Sequence, residues 1–368
     1  MLVSRTLDSL SRITGAIDQT IDGMNRALFA HAVMMAAGIA CSVWIADSLG
    51  LDGPYWAGIT AMVIALPDRH SMLLKCLHRL VGTYLGAAIG LAFALATGQS
   101  LMLYFCSTFV VVFVGLWMTQ ASPWPYAWRI GAITATMVLA GGAIDPDNAH
   151  MIALFRPLEV TIGILTMAVF QFAAAYTFGS PPITAIATPT SSETLSDVDR
   201  FKNSCSPAIA ACVTFLLCRL FHLPGGVQSV ISVCALALTG PLDKVEYKAA
   251  QRLIGSGIGA IAGLAIALGL GFEHSSVGET IFYWITLLVV GTWLSMLNRG
   301  PADCAYFALQ AEVTFLVVCA QSSKPSAEFA AGFARLEGVL IGVTVFYLIE
   351  WMLNVAAERV RRLHANTG

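Results

Sequence analysis

Charged side chains are scarce in this chain. Asp, Glu, Lys and Arg make up 11% of its 368 residues, where a soluble domain carries about 25%. A surface so poor in charge cannot be hydrated. With 57% hydrophobic residues and a mean hydropathy of +0.75, the chain reads as an integral membrane protein. Other absences narrow its chemistry. There is no basic run and the net charge is −2, which argues against a nucleic-acid partner. No G-x-x-x-x-G-K-[ST] phosphate loop supports ATP-driven pumping. Neither HExxH nor GxSxG occurs, and the Asp residues are dispersed where polyprenyl or lipid chemistry would cluster them. The expectation is a non-enzyme with no cofactor and no metal site.

The nine cysteines form no CxxC pair and no Cys/His metal spacing. Most lie in apolar runs, where Cys behaves as a small hydrophobe. The N-terminal stretch lacks the continuous apolar core of a cleavable signal peptide. Its Val3, Leu7, Leu10, Ile13, Ile17, Ile21 and Met24 recur at helical spacing, which predicts an amphipathic helix over 1–26 lying along the membrane interface.

A helix crossing the hydrocarbon core needs roughly 20 apolar residues. Candidate spans are 27–46, 55–66, 80–97, 101–118, 127–144, 158–178, 205–221, 226–240, 253–271, 280–297, 305–320 and 336–354, twelve in all. Six lie in a first repeat, 27–179, and six in a second, 205–355. A Pro-, Ser- and Thr-rich linker at 180–204 separates them, and a basic tail occupies 356–368. Cytoplasmic loops collect Lys and Arg. With both termini cytoplasmic, sixteen Lys and Arg fall inside and four outside (Arg156, Arg219, Lys324, Arg335).

The halves resemble each other internally. "HRLVGTYLGAAIGLAFAL" (78–95) aligns with "QRLIGSGIGAIAGLAIAL" (251–268), setting Arg79 over Arg252, Gly82 over Gly255, Gly86 over Gly259 and Gly90 over Gly263. "RPLEVTIGIL" aligns with "RLEGVLIGVT", setting Arg156 over Arg335 and Gly163 over Gly342, and Thr134 stands over Thr314. Six helices per repeat give both halves one orientation, so a pseudo-two-fold axis along the membrane normal is expected. The expected fold class is all-α polytopic. The glycine faces serve close helix packing in lipid, and their duplication suggests equivalent work in both halves.

Several residues stand out as candidates. The second and eighth spans are short, between Pro54 and Pro67 and between Pro224 and Pro241. Paired short spans are either packing helices or a transporter's binding site. Lys75 and Arg79, with Lys248 and Arg252, lie in equivalent stretches expected to be loops at the inner mouth. They either obey the positive-inside rule or draw an anion. Arg156 with Glu159, and Arg335 with Glu337, start the sixth and twelfth spans as charge pairs. Glu312 lies deep in an apolar run, where an ionisable residue faces a cavity or a partner. Glu312, Glu159 and Glu337 are the proton-coupling candidates.

The pattern "YWAGITAMVIALPDRHSMLLKCLHRLVGTYLGAAIGL" resembles the signature region of the fusaric-acid-resistance family of aromatic acid exporters. It is also similar to the transmembrane region of plant aluminium-activated malate transporters. Trp56, Asp68, Arg79, Gly82 and Gly86 carry the likeness, and the Arg-then-Gly element returns at Arg156/Gly163 and Arg335/Gly342. Ser229 stands where Trp56 stands in the first half. The resemblance implies a bacterial inner-membrane exporter of small organic anions, aromatic carboxylates above all, driven by the proton gradient. A passive organic-anion channel is the alternative. Arg79, Arg252, Lys75 and Lys248 would hold the carboxylate, with Trp56 stacking on the ring and Thr60 beside it. A periplasmic membrane-fusion adaptor and the surrounding lipids are the partners implied.

Overall fold

A computed structural model describes residues 2–66, 68–98, 100–179, 196–223, 225–237, 242–270, 277–322 and 329–367. The described residues form thirteen α-helices and contain no strand. Nine of the helices are long and apolar enough to cross a membrane: α2 (Arg26–Ser48), α4 (Arg69–Thr97), α5 (Leu101–Ala121), α7 (Pro146–Phe178), α8 (Asp197–Leu220), α10 (Leu242–Leu270), α11 (Val277–Asn298), α12 (Ala302–Cys319) and α13 (Phe329–Thr367). The remaining four are α1 (Leu2–Asp22), α6 (Pro125–Ile144) and the short α3 (Tyr55–Ile64) and α9 (Gly226–Leu236). Large apolar side chains such as Leu85, Ile89, Leu165, Val169, Ile261 and Val289 remain exposed, as a lipid-facing surface requires. The chain is a helical, multi-pass membrane protein.

Local sequence sets the helix ends. The Asn25 side chain accepts the Leu28 N–H and starts α2. Ser196 accepts the Asp199 N–H, and Asp197 and Asp199 occupy the positive first turn of α8. This cap ends the expected linker early: 197–204 is helix, while 180–195 lies outside the described residues. Gly50 and Gly179 end α2 and α7 in the left-handed conformation (φ 71° and 77°), which favours glycine.

Three other boundaries differ from expectation. The stretches read as loops before Arg79 and Arg252 belong to α4 and α10, which run unbroken from Arg69 and Leu242. Helical hydrogen bonding satisfies their backbone whatever the side chains, so polar residues do not end the helix. The tail expected at 356–368 continues α13 as far as Thr367. The short spans are shorter still, 10 residues in α3 and 11 in α9, or about 15 Å each at ~1.5 Å per residue. Pro67, Pro224 and Pro241, expected to bound them, lie outside the described residues.

The helices gather into two compact units, each drawing on both halves of the chain. The first holds α1, α2, α3, α4 up to Tyr84, α7 from Leu154, α10 from Ala250, α11, α12 and α13 up to Leu336. In it α2 packs on α3 and α11, α3 packs on α12, and α1 packs on α12. Ile13 and Ala16 of α1 are buried with Leu297, Cys304 and Phe307. The second unit holds the rest of α4, α5, α6, the start of α7, α8, α9, the start of α10 and α13 from Glu337. In it α8 packs on α9 and α5, and α9 packs on α6.

Glycines set the closest helix approaches in each unit. A Cβ at Gly86 or Gly90 would strike the backbone of Gly131 or Ala135 in α6. One at Gly255 or Gly259 would strike the carbonyl of Phe307 or Ala311 in α12. Gly163 of α7 lies on the Ala57 carbonyl and Thr60, and Gly342 of α13 lies on the Ser229 carbonyl and Ser232. These contacts shift the sequence register by one. Ser229 takes the place of Ala57 and Ser232 that of Thr60, which leaves Gln228, not Ser229, opposite Trp56.

Candidate anion-binding site

The short helix α3 is the starting point. A 10-residue helix whose residues are mostly buried leaves terminal backbone groups that need partners within the protein. Charged side chains serve both ends. Ahead of α3, the Gly53 N–H donates to Glu159 Oε1 at 3.1 Å. At its other end Lys75 Nζ donates to the Val63 carbonyl at 2.7 Å. A carboxylate near the N-terminus and an ammonium near the C-terminus both suit the helix dipole. Lys75, expected to draw an anion at the inner mouth, is therefore engaged on α3.

Arginines collect beside this helix. Arg79 donates from Nε and Nη2 to Thr60 Oγ1, at 3.3 and 3.2 Å, and Thr60 is wholly buried. Arg79 stands ten residues, about 15 Å, into α4. Arg156 of α7 lies 3.5 Å from the Trp56 ring centre and 3.6 Å from Glu159 Oε2, and its charge also acts against that of Arg79. Arg252 of α10 donates to Gln310 Oε1 at 2.9 Å. Arg335 of α13 lies within electrostatic reach of Arg252, Tyr55 and Tyr306. All four arginines are buried.

Tyr55 lies within electrostatic reach of Glu159, Arg156, Arg335 and Asp52. Sequence reasoning missed Tyr55, Gly53 and Gln310. The neighbouring Trp56 drew attention to α3, but no pattern marks Gln310 as the partner of Arg252. Like charges gathered away from water destabilise one another. Glu159, the Trp56 ring, Thr60 and Gln310 offset part of this, and a bound anion would offset more. Tyr55 and Trp56 remain half-buried and offer an aromatic rim.

The remaining candidates are Glu312, Lys248 and Glu337. Glu312 is wholly buried, accepts from Ser295 of α11 at 3.0 Å and leaves Oε2 without a hydrogen bond. It follows Gln310 by two positions on α12, about 200° around the helix, so it faces away from Arg252. Lys248 is exposed and belongs to the second unit, with Arg129 and Lys244 nearby. Glu337, also in the second unit, acts on Cys218. It does not repeat the Glu159 arrangement, because Gly338 takes that place against Gly225 and Gln228. No His/Cys/Asp/Glu cluster fit for a metal occurs among the described residues.

These features define a polytopic helical membrane protein with buried arginines around a half-length helix. Residues 39–170 match the family described as fusaric acid resistance protein-like, and in this segment the chain is similar to that family. The segment holds Trp56, Thr60, Lys75, Arg79, Arg156 and Glu159. The chain is also similar to the p-hydroxybenzoic acid efflux pump subunit AaeB of Salmonella paratyphi A, 25% identical over 144 residues. The AaeB proteins of Salmonella heidelberg and Escherichia fergusonii are each 24% identical. Each match covers 36% of this chain and 22% of the relative, so the aligned part is about a fifth of those proteins. No solved structure matches.

Proposed function

We propose that this chain is an inner-membrane efflux transporter for small aromatic carboxylates, which bind at the arginine cluster around Tyr55 and Trp56. The observation that carries the reading is the burial of Arg79, Arg156, Arg252 and Arg335 near one half-length helix. A charge inside a membrane protein tends to mark a substrate path. The relatives' description as p-hydroxybenzoic acid efflux pump subunits supports the substrate class. It also supports a partner, which we take to be a periplasmic membrane-fusion adaptor. The role is transport rather than catalysis, and both termini are cytoplasmic.

The two halves act as repeats of six spans each, 27–179 and 205–355. In support, the glycine contacts keep one spacing: Gly86 on Gly131 matches Gly259 on Ala311, and Gly163 on Thr60 matches Gly342 on Ser232. The pairing of α2 with α11 and of α5 with α8 has the same logic. Each first helix of one half meets the fourth of the other.

Efflux is driven by proton exchange, with Glu312 as the exchanging carboxyl. Its burial and its single hydrogen bond, from Ser295, support that role. The rival is passive anion flow, since an inside-negative potential favours anion exit by about 2.3 kcal/mol per charge per 100 mV. Purified protein in proteoliposomes tests both. A pH gradient should drive 4-hydroxybenzoate uphill, and Arg79→Gln with Arg252→Gln should reduce flux at least tenfold. Flux that persists in the double variant removes the cluster as the path. Flux that only follows the anion's own electrochemical gradient removes the proton coupling.

A further inference from the structure

Glu159 sits where an incoming carboxylate belongs. Its Oε1 is fixed by the Gly53 N–H at 3.1 Å, and its Oε2 lies 3.6 Å from Arg156 Nη1. That separation exceeds the range of an N–H···O hydrogen bond, about 2.7–3.2 Å. Arg156 Nε and Nη1 accordingly have no hydrogen-bond acceptor, although both atoms are buried. The guanidinium is held in place from another side by the Trp56 ring, 3.5 Å away. It is thus oriented and paired in charge, with N–H donors still to spend on a carboxylate. Arg–carboxylate contacts with full hydrogen bonding are the stronger kind.

We infer that Glu159 is a tethered stand-in for the substrate's carboxylate, occupying Arg156 while ionised and yielding it to the anion once protonated. The inference rests on the proposed anion site and adds how that site is regulated. Ionised Glu159 and a bound anion repel each other across one guanidinium, so each weakens the other's hold. Protonation of Glu159 removes that repulsion. By reciprocity, anion binding must then draw a proton onto Glu159. The groups facing it are Arg156 on its own helix, Asp52 and Gly53 ahead of α3, and Tyr55 on α3, with Arg79 of α4 acting through Arg156. Anion and proton bind together at this carboxyl. Net exchange through Glu312 then requires that Glu159 return its proton to the side from which it was taken, so that the anion leaves without it.

Calorimetry with benzoate on the full chain in detergent or nanodiscs tests this. Benzoate stays ionised from roughly pH 6 to 9, since carboxyl groups titrate near pH 4. For the wild-type protein, affinity should fall as pH rises, by up to about tenfold per unit. Titrations in two buffers of different ionisation enthalpy should show uptake of up to one proton per benzoate. Glu159→Gln should bind more tightly than wild type at the alkaline end, with no pH dependence and no proton uptake. Wild-type affinity that ignores pH, without proton uptake, overturns the inference while leaving the anion site standing. Absence of benzoate binding in folded wild type and variant alike overturns the site itself. The buffer comparison needs only wild-type protein, so the question is decided even where the variant fails to fold.

Discussion

The guanidinium of Arg156 stands 3.5 Å from the centre of the Trp56 ring. One face of the indole, which the sequence suggested for an aromatic substrate, is thus taken by a residue of the protein itself. A cation over an aromatic face is worth about 2 kcal/mol when desolvated. Trp56 therefore orients Arg156 before any substrate arrives.

Trp56→Ala should weaken benzoate binding about tenfold, the loss expected when ~1.4 kcal/mol of orientation disappears. Trp56→Phe, which keeps a ring face, should recover most of it. Equal losses in the two variants would point to a direct contact that needs the indole.

Two glycines of α10 should respond in opposite directions. A Cβ at Gly259 would strike the Ala311 carbonyl, whereas nothing lies within 4 Å of one at Gly257. Gly259→Ala should lower the thermal unfolding midpoint, at a cost of about 1–3 kcal/mol. Gly257→Ala should raise it, since Ala favours the helix by up to about 1 kcal/mol. Thermal unfolding in detergent, followed by intrinsic fluorescence, reads both.

Ser295→Ala removes the hydrogen bond that Glu312 accepts at 3.0 Å. A buried polar group left unsatisfied costs about 1–3 kcal/mol, so this variant should be less stable than Glu312→Gln, which still accepts from Ser295. In proteoliposomes Glu312→Gln should keep downhill anion flux and lose uphill transport. Uphill transport that survives the change would take proton exchange away from Glu312.

Asp68, just ahead of α4, accepts the Ser71 N–H at 2.7 Å. Hydrogen bonds from the Ser71 side chain and backbone hold its carboxyl below the ordinary carboxylate value. A depressed value contributes stability that is complete above the unfolded-state pKa and disappears as pH falls through the folded one. Amide exchange in the first turn of α4 should therefore quicken in acid relative to neutral pH, after correction for intrinsic rates. Asp68→Asn, which still offers an acceptor but does not titrate, should remove that difference.

Much of the architecture was legible in the residues. Long apolar runs announced the membrane helices, because a bilayer crossing demands some twenty apolar positions wherever the helix ends up. Pro54 and the Gly225–Gly226 pair marked the short spans, although α3 and α9 end before the apolar runs do. The loops expected before Arg79 and Arg252 failed for a physical reason. A polar side chain does not end a helix whose backbone bonds are intact, so α4 and α10 begin about ten residues earlier. Of the site, the sequence singled out Arg79, Arg156, Arg252 and Arg335 by their repeated spacing. It separated them into inner and outer pairs by counting spans.

Hydropathy and helical period are properties of neighbours along the chain, and these determined the class of protein, its helices and the glycine faces on which they pack. Which side chains meet depends on how helices far apart in sequence are laid together, and only the tertiary structure decided that. It set Arg156 on Trp56, tied Glu159 to Gly53 across 106 positions, paired Arg252 with Gln310 and turned Glu312 towards Ser295.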